Sequence, residues 1–184
     1  MDVYEAVERP LPKLTAEEYA SVRVLEALVE SKLALELLER GLVRNAAGKA
    51  FQAWRAVLAA LLRLELDRLR AAAKTEEERR WLEEKAVPRV PTSRMVTFSQ
   101  RHRELDYGDI SAWADRALNL HDYQYNGPDP DMALSKYKSR GEAAVSVENL
   151  AGAVVRYVEQ LEETKRAEAY EKALGDVKKK LGRR

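Results

Sequence analysis

The chain has 184 residues, of which 34% are charged and 46% hydrophobic, and its formal net charge is +1; this mixture describes one globular domain with its own core and excludes a disordered or fibrous chain. The absence of cysteine excludes disulfides and thiolate metal sites, two histidines leave little for a His-rich site, and the balanced charge excludes polyanion binding driven by bulk charge. No metal or other cofactor is expected, and the scarcity of amides (4 Asn and 4 Gln) beside many ion-forming residues reads as a heat-adapted composition.

Met1–Pro12 carries Asp2, Glu5 and Glu8 and no apolar run, so no signal peptide is expected. No apolar stretch reaches the roughly 20 residues of a bilayer span, so the expected location is the cytoplasm, with no membrane partner. The first helix is expected from Thr15, where Thr15 and Glu18 make a capping-box pattern, to Arg40. Val22, Leu25, Val29, Leu33 and Leu37 recur at helical spacing, and Gly41 followed by Leu42 suits a left-handed cap. A second helix is expected from an N-cap at Asn45 to about Ala72, with a first half rich in alanine that lets neighbours approach closely. The short connection makes these two helices an antiparallel hairpin.

Thr75 and Glu78 repeat the capping-box pattern for a shorter helix to about Ala86, and Pro88 and Pro91 break the chain after it. A short helix is expected over Thr92–Leu105, then one capped by Asp109 that carries Ile110, Trp113, Ala117, Leu120 and His121. Gly127–Asp131 reads as a turn, Met132–Lys138 as a short helical piece, and Ser139–Ala173 as a last long helix. No segment alternates like a strand. The expected fold is therefore all-α, a single helical domain over 1–184, ordered over about 13–175 with a basic C-terminal tail over 176–184.

Three segments, Leu37–Trp54, Ala117–Gly127 and Asp131–Tyr137, resemble the archaeal PaREP family, and the likeness extends over about residues 15–170. The resemblance implies a HEPN-like helical bundle built on the two long helices, and it implies a homodimer, since HEPN-like proteins commonly pair. HEPN enzymes that cut RNA carry Arg, four to six residues, then His, and Arg116-Ala117-Leu118-Asn119-Leu120-His121 is similar to that pattern. By that resemblance His121 is the candidate base and Arg116 the candidate phosphate clamp of a metal-independent cleavage. Ala117 departs from the polar residue that often follows the Arg. An offset of five also separates the two residues by about 140° around a helix, so they meet only near a helix end or across a dimer.

Each candidate carries a structural reading beside the functional one. His121 falls on the core-facing stripe of its helix, and Arg116 reads equally as a surface partner of Asp115 or Glu142. Tyr123 and Tyr125 either stack on bases or plug the end of the bundle. The stretch Ala86–Arg103 holds Arg89, Arg94, Arg101 and Arg103 with no acid, and it either binds RNA backbone or pairs with acids of the first and last helices. The leading expectation is an RNA- or nucleotide-related role, as RNA binding or RNA cleavage. Its rival is a non-catalytic interaction module, for example the helical partner of a nucleotidyltransferase in a toxin–antitoxin-type pair.

Overall fold

A computed structural model describes residues 15–87, 90–104, 107–161 and 168–182, and every regular element among them is helical. The fold is all-α. Helix α1 (Ala16–Glu39) opens on the expected capping box: the Glu18 N–H donates to the Thr15 hydroxyl at 3.2 Å, and the Thr15 N–H donates to the Glu18 carboxylate at 2.9 Å. It closes at Gly41, whose φ is +73°. Gly41 N–H donates to the Leu38 carbonyl (2.9 Å) and Leu42 N–H to that of Leu37 (2.8 Å). These two bonds form a Schellman cap.

The next helix begins earlier than its composition suggests. The cap leaves Leu42 already at the entry to α2 (Val43–Leu64), so Leu42 and not Asn45 is the N-cap, with no side-chain bond. Helix α2 is the centre of the bundle. Its six consecutive residues Val57–Leu62 are all buried, which is stable only where neighbours wrap a helix on every side. Those neighbours are α1, α5 (Met95–Glu104), α6 (Ile110–Asn126) and α7 (Arg140–Leu161). Alanines at 46, 47, 50, 53, 56, 59 and 60 keep the approaches short, and the buried Trp54 meets Tyr157 of α7 edge-on at 5.2 Å.

Elsewhere the second helix is interrupted, while the expected helices to about Ala86 and from Thr92 form as continuous helical backbone of mixed type. Glu65 interrupts the second helix, and α3 (Leu66–Ala72) turns Leu66 and Leu69 back into the core. Helix α4 (Glu76–Trp81) starts at Thr75, but only half the box forms: the Thr75 hydroxyl accepts from Glu78 N–H, while the Glu78 carboxylate takes the N–H of Lys74. A π turn over Leu82–Ala86 and a 3₁₀ turn over Thr92–Arg94 lead to α5. Asp109 is the N-cap of α6, as expected, and its carbonyl accepts from Ala112 and Trp113 N–H; its carboxylate makes no capping bond and accepts instead from Trp113 Nε1 (2.7 Å) and the Tyr157 hydroxyl (2.9 Å). Burial pushes the Asp109 carboxyl up, yet Trp113 and Tyr157, together with its own backbone N–H and the charge of Arg156, outweigh it and hold its pKa below the usual range.

No helix forms over Met132–Lys138: Met132 sits at φ +56°, outside the right-handed helical region, and the Asp129 carboxylate holds the N–H groups of Leu134 and Ser135 in an irregular loop. The last long helix is two: α7 ends at Leu161, and α8 (Glu168–Leu181) packs on α1 and α7. The tail expected from residue 176 is helical to Leu181, with Val177 fully buried; Arg183 and Arg184 lie outside the described residues. One connected cluster of buried side chains draws on α1, α2, α3, α5, α6, α7, α8 and the π turn.

Candidate functional site

At the end of the bundle that holds the α1–α2 turn, two arginines exchange caps between helices. Arg44, in the first turn of α2, donates to the last carbonyls of α6, from Nε to Gln124 at 3.0 Å and from Nη2 to Tyr125. Arg140, in the first turn of α7, donates from Nη2 to the Gly41 carbonyl at 2.6 Å. Each guanidinium thereby meets carbonyls that a helix C-terminus leaves unpaired. The loop between α6 and α7 is tied down by Asp129, whose carboxylate accepts the N–H groups of Leu134 (2.7 Å), Asp131 (3.1 Å) and Ser135 (3.3 Å). The Leu134 bond is the main reason its pKa lies below the usual range. Asn126 spends its amide on the carbonyls of Asp122 and Leu134.

Tyr123 plugs this end. It is buried, meets the buried Tyr137 edge-on at 5.7 Å, and burial pushes its phenol pKa up. Tyr125 is exposed, edge-on to His121 at 5.2 Å. His121 also stacks on Phe51 of α2 (4.2 Å, 27° between planes), and its Nδ1 is buried without a hydrogen bond. Arg116 faces the other way: it donates to Ser146 Oγ of α7 at 3.5 Å and lies 5.3 Å from the Trp113 ring. Within one chain Arg116 therefore serves α7 and His121 serves α2, and the two do not touch. Arg116 pairs with neither Asp115 nor Glu142.

Beside Phe51 and one turn beyond His121, a groove of about 540 Å³ opens between α2 and α6. It is lined by Arg44, Asn45, Gly48, Lys49, Gln52 and Gln124, with no carboxylate among them. Gln124 lies across Gly48, where a Cβ would come within 2.1 Å of its Oε1. Both cations are committed, Arg44 to the α6 carbonyls and Lys49 to Glu30 at 3.0 Å. The side-chain amides of Asn45, Gln52 and Gln124 make no hydrogen bond among the described residues. A groove wall of open amides presents donors and acceptors together, which suits a ligand edge that carries both.

Among the described residues of the basic stretch before α6, the one ion pair goes to an acid of α4 and none to the first and last helices. Arg101 pairs with Glu78, and Arg94 lies 5.5 Å from the ring of Trp81, which stacks on Phe98. The cleft there, about 470 Å³, mixes Arg80, Lys85, Arg94 and Arg101 with Glu77, Glu78 and Glu84. Arg89 and the side chain of Arg103 lie outside the described residues. No group of three or more potential metal ligands occurs among the described residues, and no helix there is long and apolar enough to cross a membrane.

The archaeal PaREP1/PaREP8 family matches residues 22–148 of this architecture, from within α1 to within α7. The chain belongs to that family. No curated protein and no solved structure matches it. The PaREP1/PaREP8 match takes in the hairpin, the α2/α6 groove and the Asp129 loop, and it stops short of α8.

Sequence reasoning passed over the lining of the groove in this PaREP1/PaREP8 chain, although a signal existed. Asn45, Gly48, Lys49 and Gln52 stand at i, i+3, i+4 and i+7, a stripe of polar side chains and one glycine on a helix whose other residues are mostly alanine and large apolar side chains, with Arg44, Arg55 and Arg63. Gln124 carried no such signal, because its place depends on α6 packing beside α2.

Proposed function

We propose that this PaREP1/PaREP8 protein is a HEPN-like helical module that binds RNA or a nucleotide in the α2/α6 groove. One observation carries the reading: three of the chain's eight Asn and Gln side chains stand together there with their hydrogen bonds unspent. Amides match the donor–acceptor edges of unpaired bases, and a groove of this size suits a ligand of nucleotide dimensions. Tyr125, exposed beside His121, adds a ring on which a base can stack. The HEPN-like grouping implied by the family resemblance supports the same reading. In its catalytic form His121 is the base and Arg116 the clamp, drawn from two copies because they face different helices in one.

The test is a titration of labelled mixed-sequence RNA. Saturable binding is expected, weakened at least about tenfold by Gln52→Leu combined with Gln124→Leu, the effect of two lost hydrogen bonds. The far-UV circular dichroism of the variant should be unchanged. Absence of saturable binding to RNA and to nucleotides defeats the proposal. Cleavage that resists chelator and disappears in His121→Ala supports its catalytic form.

A second reading, a non-catalytic partner module, has its own support. Leu42 (47% exposed), Tyr125 (62%), Met132 (40%) and Leu134 (68%) are large apolar residues in the turns and helix end of one pole of the bundle. Such a patch suits a second copy of the chain or a nucleotidyltransferase partner. A fixed partner that co-purifies, with a complex unchanged by Arg116→Ala, favours this reading.

A further inference from the structure

We infer that the α2/α6 groove recognises the base of a nucleoside and takes almost nothing from its phosphate, an inference that rests on the nucleotide-binding reading above. A phosphate site needs positive charge or N–H groups free to receive it. Both cations of the groove have prior engagements: Arg44 bridges to the carbonyls of Gln124 and Tyr125, and Lys49 is neutralised by Glu30 at 3.0 Å. Moving Arg44 to a phosphate would strip the C-terminal carbonyls of α6. The amides carry no such commitment, and together they offer donors and acceptors to a planar heterocycle.

Gly48 fixes where one of these amides stands. Gln124 can lie across α2 only because position 48 has no side chain: a Cβ there meets Oε1 at 2.1 Å and Cδ at 2.9 Å. Tyr125 and His121, whose rings meet edge-on 5.2 Å apart, flank Gln124 along α6 but lie outside the lining of the groove. The ligand class this arrangement fits is an unpaired nucleobase, free as a nucleoside or displayed by a single strand, and not a duplex backbone.

Ligand-observed NMR titrations of the full chain, at ligand concentrations up to about 1 mM, compare adenosine, guanosine, cytidine and uridine with their 5′-monophosphates and with ribose 5-phosphate. At least one nucleoside should bind within about threefold of its monophosphate, with ribose 5-phosphate silent. The dependence of log K on log salt should be no steeper than about −1, as expected when at most one phosphate is neutralised. Gly48→Ala should weaken nucleoside binding at least fivefold while leaving the helical circular dichroism intact, since alanine favours helix; Gln124→Leu should do the same. A monophosphate that binds tenfold tighter than its nucleoside, or binding of ribose 5-phosphate, overturns the inference and leaves nucleotide binding standing. RNA binding with silent nucleosides does likewise. Silence of every ligand, RNA included, removes both readings.

Discussion

At His102 the ring is fully buried, and Nδ1 lies 2.8 Å from the Phe98 carbonyl, a bond that makes it the protonated nitrogen of a neutral imidazole. Nε2 is buried without a bond of good geometry, although the Leu61 backbone is close enough to favour the charged ring somewhat. Burial outweighs Phe98, Leu61 and Glu65 and holds the pKa below the usual histidine value. The unfolded chain therefore takes up a proton near pH 6.5 that the folded chain refuses, and stability falls as pH drops below that value until the folded pKa is reached. The loss from this group falls between pH 7.5 and 5.5, in the direction that the lowered pKa sets. Urea midpoints at the two pH values should drop in the wild type and drop less in His102→Gln. Equal drops would show that His102 is not the source.

At the scale of elements, the helix ends hold the testable physics. Gly41 sits at φ +73° in the cap that joins α1 to α2, and a Cβ there would meet only Arg140 Nη2, at an ordinary 3.6 Å. Space is not the constraint, so Gly41→Ala should cost the conformational penalty alone, about 1–2 kcal/mol in chemical denaturation. An unchanged midpoint would mean that the turn relaxes to another cap. This turn was legible in the sequence because everything that makes it lies within six residues, and the capping box at Thr15 was legible for the same reason. The N-cap at Asp109 was legible too, but not the use of its carboxylate, which accepts from Tyr157, 48 residues further along the chain, and no local pattern reports that. The spacing of Arg116 and His121 could be read directly, but which neighbour each faces depends on α2 and α7 flanking α6. The groove divides the same way, with its α2 stripe visible as a period and Gln124 supplied by packing.

For the whole molecule the question is whether α8 belongs to the folding unit or merely decorates it, since the family match ends at residue 148. Helix α8 buries Tyr170, Ala173, Leu174 and Val177 against α1 and α7. It adds ion pairs from Asp176 to Lys32 (2.8 Å), from Lys180 to Glu39 (3.0 Å), and from Lys178 to Glu159. Exposed pairs of this kind contribute about 0–1 kcal/mol each, whereas each large buried apolar side chain contributes about 1.5–3 kcal/mol. The apolar face thus dominates, and its several kcal/mol are a large part of the roughly 5–15 kcal/mol that holds a domain together. A chain ending before Glu168 should melt at least about 10 °C lower than the full chain or aggregate on expression, while Lys180→Gln should shift Tm by no more than about 2 °C. In the full chain, tryptophan fluorescence and circular dichroism at 222 nm should give one coincident transition, because Trp54 and Val177 belong to the same connected core. An early circular-dichroism step that leaves the fluorescence unmoved, or a truncated chain with the full-length Tm, would make α8 an independent appendage and confine the cooperative unit to α1–α7.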